Sequence, residues 1–325
     1  MENSFYFILN PLKLEGDNSF ELIPGYVLKR PDQIQLALIA GKLNGFSMLS
    51  HWPQFHHLGY NCDWVPNYNP DGKRAGNKLE ILPQGQWRYW IISFHSELPH
   101  RIGDDSEIGK LQCSANLLER DLDIGFGFLH TPPPYGPAFM LRNNQTFTFL
   151  EAHKMSNEAV AVTTEELKKI SGIFSLLNAT EQKHPEIYRI AQRFSTLKFF
   201  PRQSDMVILG CFSVIEALAT HDPNPKEEYD SLNHQISTKM TLLSKRFERQ
   251  LDYEGQFGQL EREKVWKKLY GYRSALAHGT PADFNTKFQI LKDPATVLNF
   301  LKEATKLTLL FAMKEPEFLA DLKKC

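Results

Sequence analysis

The run MVILGCFSVIEALA, residues 206 to 219, limits the folds open to this chain more than any other stretch. It is apolar almost all round a helix, so it has to be enclosed on every side, yet it falls short of the ~20 residues that cross a bilayer. Such a helix belongs at the centre of a helical bundle, and HDPNPKEE at 221 to 228 ends it. Its one charge, Glu216, is conspicuous there.

The helical pattern begins at Thr163-Thr164-Glu165-Glu166, where a Thr three residues before a Glu forms a capping box. Beyond it, apolar residues recur at three and four: Ile236, Met240, Leu243, Phe247; then Val265, Leu269, Tyr272, Leu276; then Val297, Phe300, Leu301, Ala304, Leu307, Phe311. Before about residue 155 the signals are mixed. SFYFILNPL, FELIPGYVL, WRYWIISF and TFTFLEA read as strands, IQLALIAGKL and SEIGKLQCSANLLERDL as helices, and TPPPYGP at 131 to 137 as a rigid turn. The expected fold is therefore an α+β N-terminal domain, 1–158, followed by an all-α helical bundle, 159–325. A chain of 325 residues exceeds the usual single domain of roughly 100 to 200, which agrees with two cores.

Lys and Arg number 37 against 38 for Asp and Glu, so no global field draws the protein to nucleic acid or anionic lipid, and any basic patch is local. The four cysteines are scattered without CxxC spacing, which fits a reducing cytoplasm. MENSFYFILNPLKLEG lacks the basic-then-apolar order of a secretory signal. A cytoplasmic protein with no membrane partner is the expectation.

GYRSALAHGT, residues 271 to 280, holds the strongest chemical signal. On an ideal helix Arg273 and His278 project about 140° apart and do not share a face. Ser274 and His278, four apart, do lie one above the other, so the hydroxyl can orient the imidazole. Gly279 suits the left-handed position just past a helix, which places His278 in the last turn, where unpaired carbonyls attract positive charge. The same helix carries Arg262, Lys264, Lys267, Lys268 and Arg273 against Glu261 and Glu263, a local basic stripe. A guanidinium that grips phosphate oxygens beside a His that exchanges a proton with a ribose hydroxyl is the minimum for RNA cleavage without a metal. The same residues also fit a favourable helix cap and a solvated face.

YRSALAHG and the upstream CFSVIEALATH together resemble the signature pair of the Apea-like branch of the HEPN superfamily, over roughly residues 160 to 325. The resemblance implies a HEPN-type helical bundle whose motif is Arg, four to six residues, then His, here Arg273 to His278. It further implies a metal-independent ribonuclease that dimerises so that two motifs face one composite site, with no cofactor, acting in bacterial toxin or anti-phage defence. Arg273 would hold the scissile phosphate, His278 would transfer the proton and Ser274 would align it, with Glu216 and Tyr272 in support. Glu216, in the family's IEAL helix, would pair with Arg273 and hold its fork in place, another basic residue being the alternative. Catalytic relatives commonly have Asn, Asp or His after the Arg, where this chain has Ser274. Other HEPN proteins bind nucleotides or serve as protein-binding modules without cutting, and that is the alternative. By analogy, the N-terminal domain would be a sensor for a phage or host trigger.

His51, His56, His57 and Cys62 are metal-binding residue types, but their spacing matches no common zinc pattern, so no metal is expected. Trp52, Phe55, Tyr60 and Trp64 between them read as a packed aromatic loop, with a recognition surface for bases or protein anchors the alternative. NPDGKRAGNK at 69 to 78 reads as an exposed, basic, turn-rich loop. No GxxxxGK[ST], GxSxG or HExxH motif is present.

Overall fold

The computed structural model describes residues 4–15, 19–50, 58–94, 106–120, 122–130, 137–140, 160–201, 204–224, 226 and 230–324. The chain divides into two compact units, Met1–Phe174 and Ser175–Cys325. The division falls inside the helix that opens the C-terminal half, whereas the sequence boundary at 158/159 stands just ahead of that helix.

The first unit contains ten strands among its described residues: β1 Ser4–Ile8, β2 Leu12–Glu15, β3 Ser19–Ile23, β4 Tyr26–Lys29, β5 Cys62–Tyr68, β6 Arg74–Ile81, β7 Ile91–Phe94, β8 Ile124–His130, β9 Pro137–Met140 and β10 Val160–Thr163. Helices α1 Gln33–Ser50 and α3 Ser106–Asn116 flank a single turn, α2 Leu58–Asn61. Six strands form one sheet in the order β3-β4-β7-β1-β8-β9, with every neighbour antiparallel. β2 pairs with β10 in parallel, and β5 pairs with β6 as a separate antiparallel ribbon.

Strand β1 explains how this sheet is held. Its sequence SFYFI is buried at every position, which an antiparallel strand shows only when both sheet faces are covered. Phe5 and Phe7 pack on one side with Ile39 and Leu43 of α1, and with Tyr60, Tyr89 and Phe126. Tyr6 and Ile8 pack on the other with Ile108 and Leu111 of α3, and with Leu167 and Ile170 of the next helix, α4 Thr164–Lys183.

The second unit is helical: the rest of α4, then α5 Pro185–Thr196, α6 Asp205–Ala219, α7 Leu232–Leu243, α8 Tyr253–Phe257, α9 Arg262–Ala277, α10 Pro294–Lys314 and α11 Pro316–Lys324. Helix α6 packs against α5, α7, α9, α10 and α11, the central place its apolar surface requires. Its residues Ile208, Cys211, Phe212, Val214, Ile215 and Leu218 are buried. The periodic positions of the other helices point to the same core: Ile236 and Met240 of α7, Leu269 of α9, and Leu301 and Ala304 of α10 are each fully enclosed.

A mixed strand unit and a helical unit thus stand where the sequence placed them. The strand run WRYWIISF contributes only Ile91–Phe94 to β7; ahead of it, Trp90 is buried and its indole N–H donates to the Leu12 carbonyl at 3.0 Å. TFTFLEA and residues 131 to 136 of the proline-rich turn lie outside the described residues. Among the described residues no helix is long and apolar enough to cross a membrane.

The capping box forms as its spacing requires. The Thr163 N–H donates to Glu166 Oε2 at 2.8 Å, and the Glu166 N–H donates to Thr163 Oγ1 at 3.2 Å. Thr163→Ala is expected to lower stability by about 1 kcal/mol. Urea unfolding followed by circular dichroism measures it, and an unchanged midpoint would show that the reciprocal pair adds nothing.

Candidate active site

Helix α9 ends with a turn set by its last residues. His278 is the capping residue, and its N–H donates to the Ser274 carbonyl at 3.1 Å. Gly279 follows with φ +65°, its N–H donating to Leu276 O at 3.2 Å, and the Thr280 N–H reaches back to Ala275 O at 2.9 Å. Those two bonds are a Schellman motif, which needs a residue in the left-handed region, and glycine takes that conformation without the Cβ penalty. The sequence reading of Gly279 is realised in this geometry, and the cap leaves His278 exposed to solvent.

Arg273 points to α6. Its Nη2 donates to Glu216 Oε2 at 3.1 Å, and its Nε lies 3.1 Å from Oε1. The second contact is close in charge but not aligned as a hydrogen bond, so Nε and Oε1 keep no other hydrogen-bond partner. Of the two partners the sequence allowed Glu216, Arg273 is the one it meets. Both side chains are mostly covered, 29% and 18% exposed, which weakens solvent screening of the pair. Burial pushes the Glu216 carboxyl above the usual carboxylate range, and the adjacent guanidinium pulls it back only in part. The guanidinium approaches its partner through the Nε–Nη2 edge, which leaves Nη1 without a partner among the described residues.

Tyr270 completes this cluster and was missed in the sequence. Its ring centroid lies 5.7 Å from the Arg273 Cζ, a cation–π contact, and it meets Phe212 of α6 edge-on at 6.1 Å. Burial raises its phenol, and the Glu216 charge raises it further. The signal was available, because three residues separate Tyr270 from Arg273 and put them on one helix face. Tyr272 is elsewhere. It is fully buried and packs edge-on against Phe284 and Phe288, with centroids at 5.1 and 5.5 Å. Burial and then the Asp205 charge push its phenol up to about 12. Ser274 is half-buried, and no hydrogen bond joins its hydroxyl to the His278 ring. One chain therefore brings Arg273, Glu216 and Tyr270 together, and leaves His278 in water at the helix end.

Most of the basic stripe on α9 is engaged within the unit. Lys267 pairs with Glu263 at 2.6 Å, Lys268 donates to the Lys287 carbonyl at 3.1 Å, and Arg262 reaches Ser244 and the Tyr253 ring. Comparisons with protein-family models, curated proteins and solved structures find no match.

His51, His56 and His57 lie outside the described residues, as do Trp52 and Phe55. Cys62 is buried beside Asn61 Oδ1 at 3.2 Å, and burial raises its thiol. Tyr60 stacks on Tyr89 in the sheet core at 5.1 Å. Among the described residues no group of three metal-ligating side chains gathers. A polar cluster the sequence did not reveal joins His221, Asp230, Gln235 and Lys239 around the carbonyl of Lys323, which is distant in the chain. His221 Nδ1 lies 2.7 Å from the Lys323 carbonyl and Nε2 3.2 Å from Asp230, while Lys239 Nζ reaches the same carbonyl at 3.3 Å. These groups fasten the end of α11, whose last carbonyls attract positive donors.

The raised Glu216 carboxyl has a stability consequence of definite sign. The folded state holds that proton more tightly than the unfolded chain, so the stabilisation is present at acid pH and is lost as pH rises through the raised value. Glu216→Gln keeps the neutral form throughout. It is expected to match wild type in urea at about pH 4 and to exceed it at about pH 7. A variant weaker than wild type at neutral pH would show that attraction to Arg273 outweighs burial.

Proposed function

We propose that the helical unit is a metal-independent endoribonuclease of the HEPN type, acting as a homodimer in cytoplasmic toxin or anti-phage defence. The observation that carries this reading is the pairing of a held guanidinium with a solvent-facing imidazole at one helix end. Glu216 grips one edge of Arg273 and fixes its orientation, and the free Nη1 can bond a phosphate oxygen. His278, exposed at the cap, can exchange protons with a bound strand.

In the reaction the ribose 2′ oxygen attacks phosphorus and its proton passes to a neutral imidazole. The bond from phosphorus to the 5′ oxygen breaks, and that oxygen takes a proton from an imidazolium. The products are a 2′,3′-cyclic phosphate and a 5′ hydroxyl. Arg273 would offset charge on the phosphoryl oxygens as it grows. The 140° divergence on one helix means that two chains would have to supply the acid, the base and the guanidinium to one linkage. The N-terminal unit would act as the sensor of a phage or host trigger.

The rival reading is a non-catalytic module that binds a nucleotide or a protein. Two observations favour it: Ser274 does not bond the His278 ring, and Arg273 already has a carboxylate partner.

Arg273→Ala and His278→Ala separate the two. Each is expected to lower RNA cleavage by at least about 100-fold, with His278→Ala leaving stability unchanged because the ring is exposed. Cleavage by wild type is expected to survive EDTA and to leave cyclic phosphate ends, read by end-mapping. Wild-type protein that yields no new RNA ends, or cleavage unaltered in both variants, would favour the rival.

A further inference from the structure

The β5–β6 ribbon stands apart from the rest of its unit. Among the described residues each strand has only the other as a neighbour, and residues 66 to 78 are exposed throughout. The base is anchored. Arg88 Nη2 lies 2.7 and 2.8 Å from the two Asp63 carboxylate oxygens, and the Leu82 N–H donates to Asn61 O at 2.8 Å. Among the described residues no third strand pairs with the hairpin, and a two-stranded hairpin by itself is marginal in water and gains from a partner.

The register shows what kind of partner. It shifts between Asn67 and Tyr68, so that Arg74 rather than Ala75 stands opposite Tyr68. Gly76, at φ +126°, supplies the backbone conformation the irregularity needs. Opposite residues share a face of the ribbon, so the shift sets a guanidinium beside an exposed phenol ring. Arg74 Nη2 donates to Asn77 Oδ1 at 2.8 Å, which holds the guanidinium along that face.

Charge and patch shape decide between partners. The exposed residues of the ribbon carry Lys73, Arg74 and Lys78 against Asp71 and Glu80, a surplus of one positive charge. Lys73 is 84% exposed with only a loose 3.8 Å contact to Asp71, and Lys78 has no partner among the described residues. The large apolar side chains Tyr68 and Ile81, 60% and 71% exposed, sit at opposite ends of the ribbon. At ~3.4 Å per residue they are about 20 Å apart and do not make the contiguous apolar centre of a protein interface. Arg74 shares the face of the isolated Tyr68 ring, and Lys78, opposite Val65, stands on the other face. A ring and cations spread over a thin ribbon suit a strand with unpaired bases, where stacking and phosphate contacts act together.

We propose that this ribbon is a binding arm for single-stranded RNA, with Tyr68 as a stacking platform and Lys73, Arg74 and Lys78 as phosphate contacts. The choice of RNA as the nucleic acid rests on the ribonuclease reading; the arm itself does not use Arg273 or His278. It also supplies what α9 does not, since most cations of that helix are bonded within their own unit.

The test uses the full chain carrying His278→Ala, so that bound RNA is not cut, and a labelled single-stranded oligoribonucleotide of about 20 residues followed by fluorescence anisotropy. Arg74→Glu with Lys78→Glu is expected to weaken binding at least about tenfold. The slope of log affinity against log salt should become shallower by roughly 1.4, two contacts at about 0.7 each for a single strand. Tyr68→Ala is expected to weaken binding about fivefold or more with the slope unchanged. Arg74→Lys with Lys78→Arg should retain binding, which separates charge from a damaged hairpin. Unchanged affinity in the Glu and Ala variants, or no RNA binding by the parent chain, overturns the arm even if wild type cuts RNA. Ribbon-dependent binding by a chain that never cuts RNA upholds the arm and removes the ribonuclease reading.

Discussion

A helix apolar on every side has no stable place at a surface, and α6 imposes that constraint on the whole helical unit. Five helices close around it. Enclosure creates the electrostatic problem of Glu216, whose carboxylate loses water when the bundle forms. Arg273 answers it in part, through one aligned hydrogen bond and one close charge contact. Because the guanidinium is planar and approached along one edge, the pair fixes direction as well as charge. The last turn of α9 is therefore tied to the centre of the bundle just before the chain leaves the helix. Tyr270 extends the tie by stacking under Arg273 and meeting Phe212 of α6.

Much of this could be read from residue order, because the relevant physics is local or periodic. A Thr and a Glu three apart satisfy each other's backbone, and Gly279 takes a conformation few other residues accept. Most of MVILGCFSVIEALA is interior, as its composition requires, although Met206 at its start is 51% exposed. The failures have physical causes as well. Tyr270 and Tyr272 are two residues apart in sequence but about 200° apart on a helix, so a small error in facing exchanges a site residue for a core residue. The cluster around His221 and Lys239 is assembled from distant segments by tertiary contact, and no spacing announces it. β5 and β6 were overlooked because exposed strands need no apolar alternation, and NPDGKRAGNK shows only the chemistry of its turn.

The first unit follows a different logic. Its sheet is covered on both faces, by α1 on one side and by α3 with the start of α4 on the other. Covered faces bring rigidity and leave no open sheet surface for a ligand at β1. Contact with other molecules then falls to edges, loops and the ribbon, where side chains are free of packing duties. The ribbon spends its residues on charge, one phenol ring and a register shift, at the expense of its own stability as an isolated hairpin.

The two members of the candidate motif experience opposite environments, and that contrast bears on how such a site can work. A guanidinium that must hold a phosphate benefits from a fixed direction, which a half-buried carboxylate partner provides. An imidazole that must pass protons benefits from access, which a capping position at the end of a helix provides. One helix delivers both properties only by pointing the two side chains apart. Direction for Arg273 and access for His278 therefore come without convergence in a single chain, and the proposed cleavage would need a second copy of the same helix end to restore it.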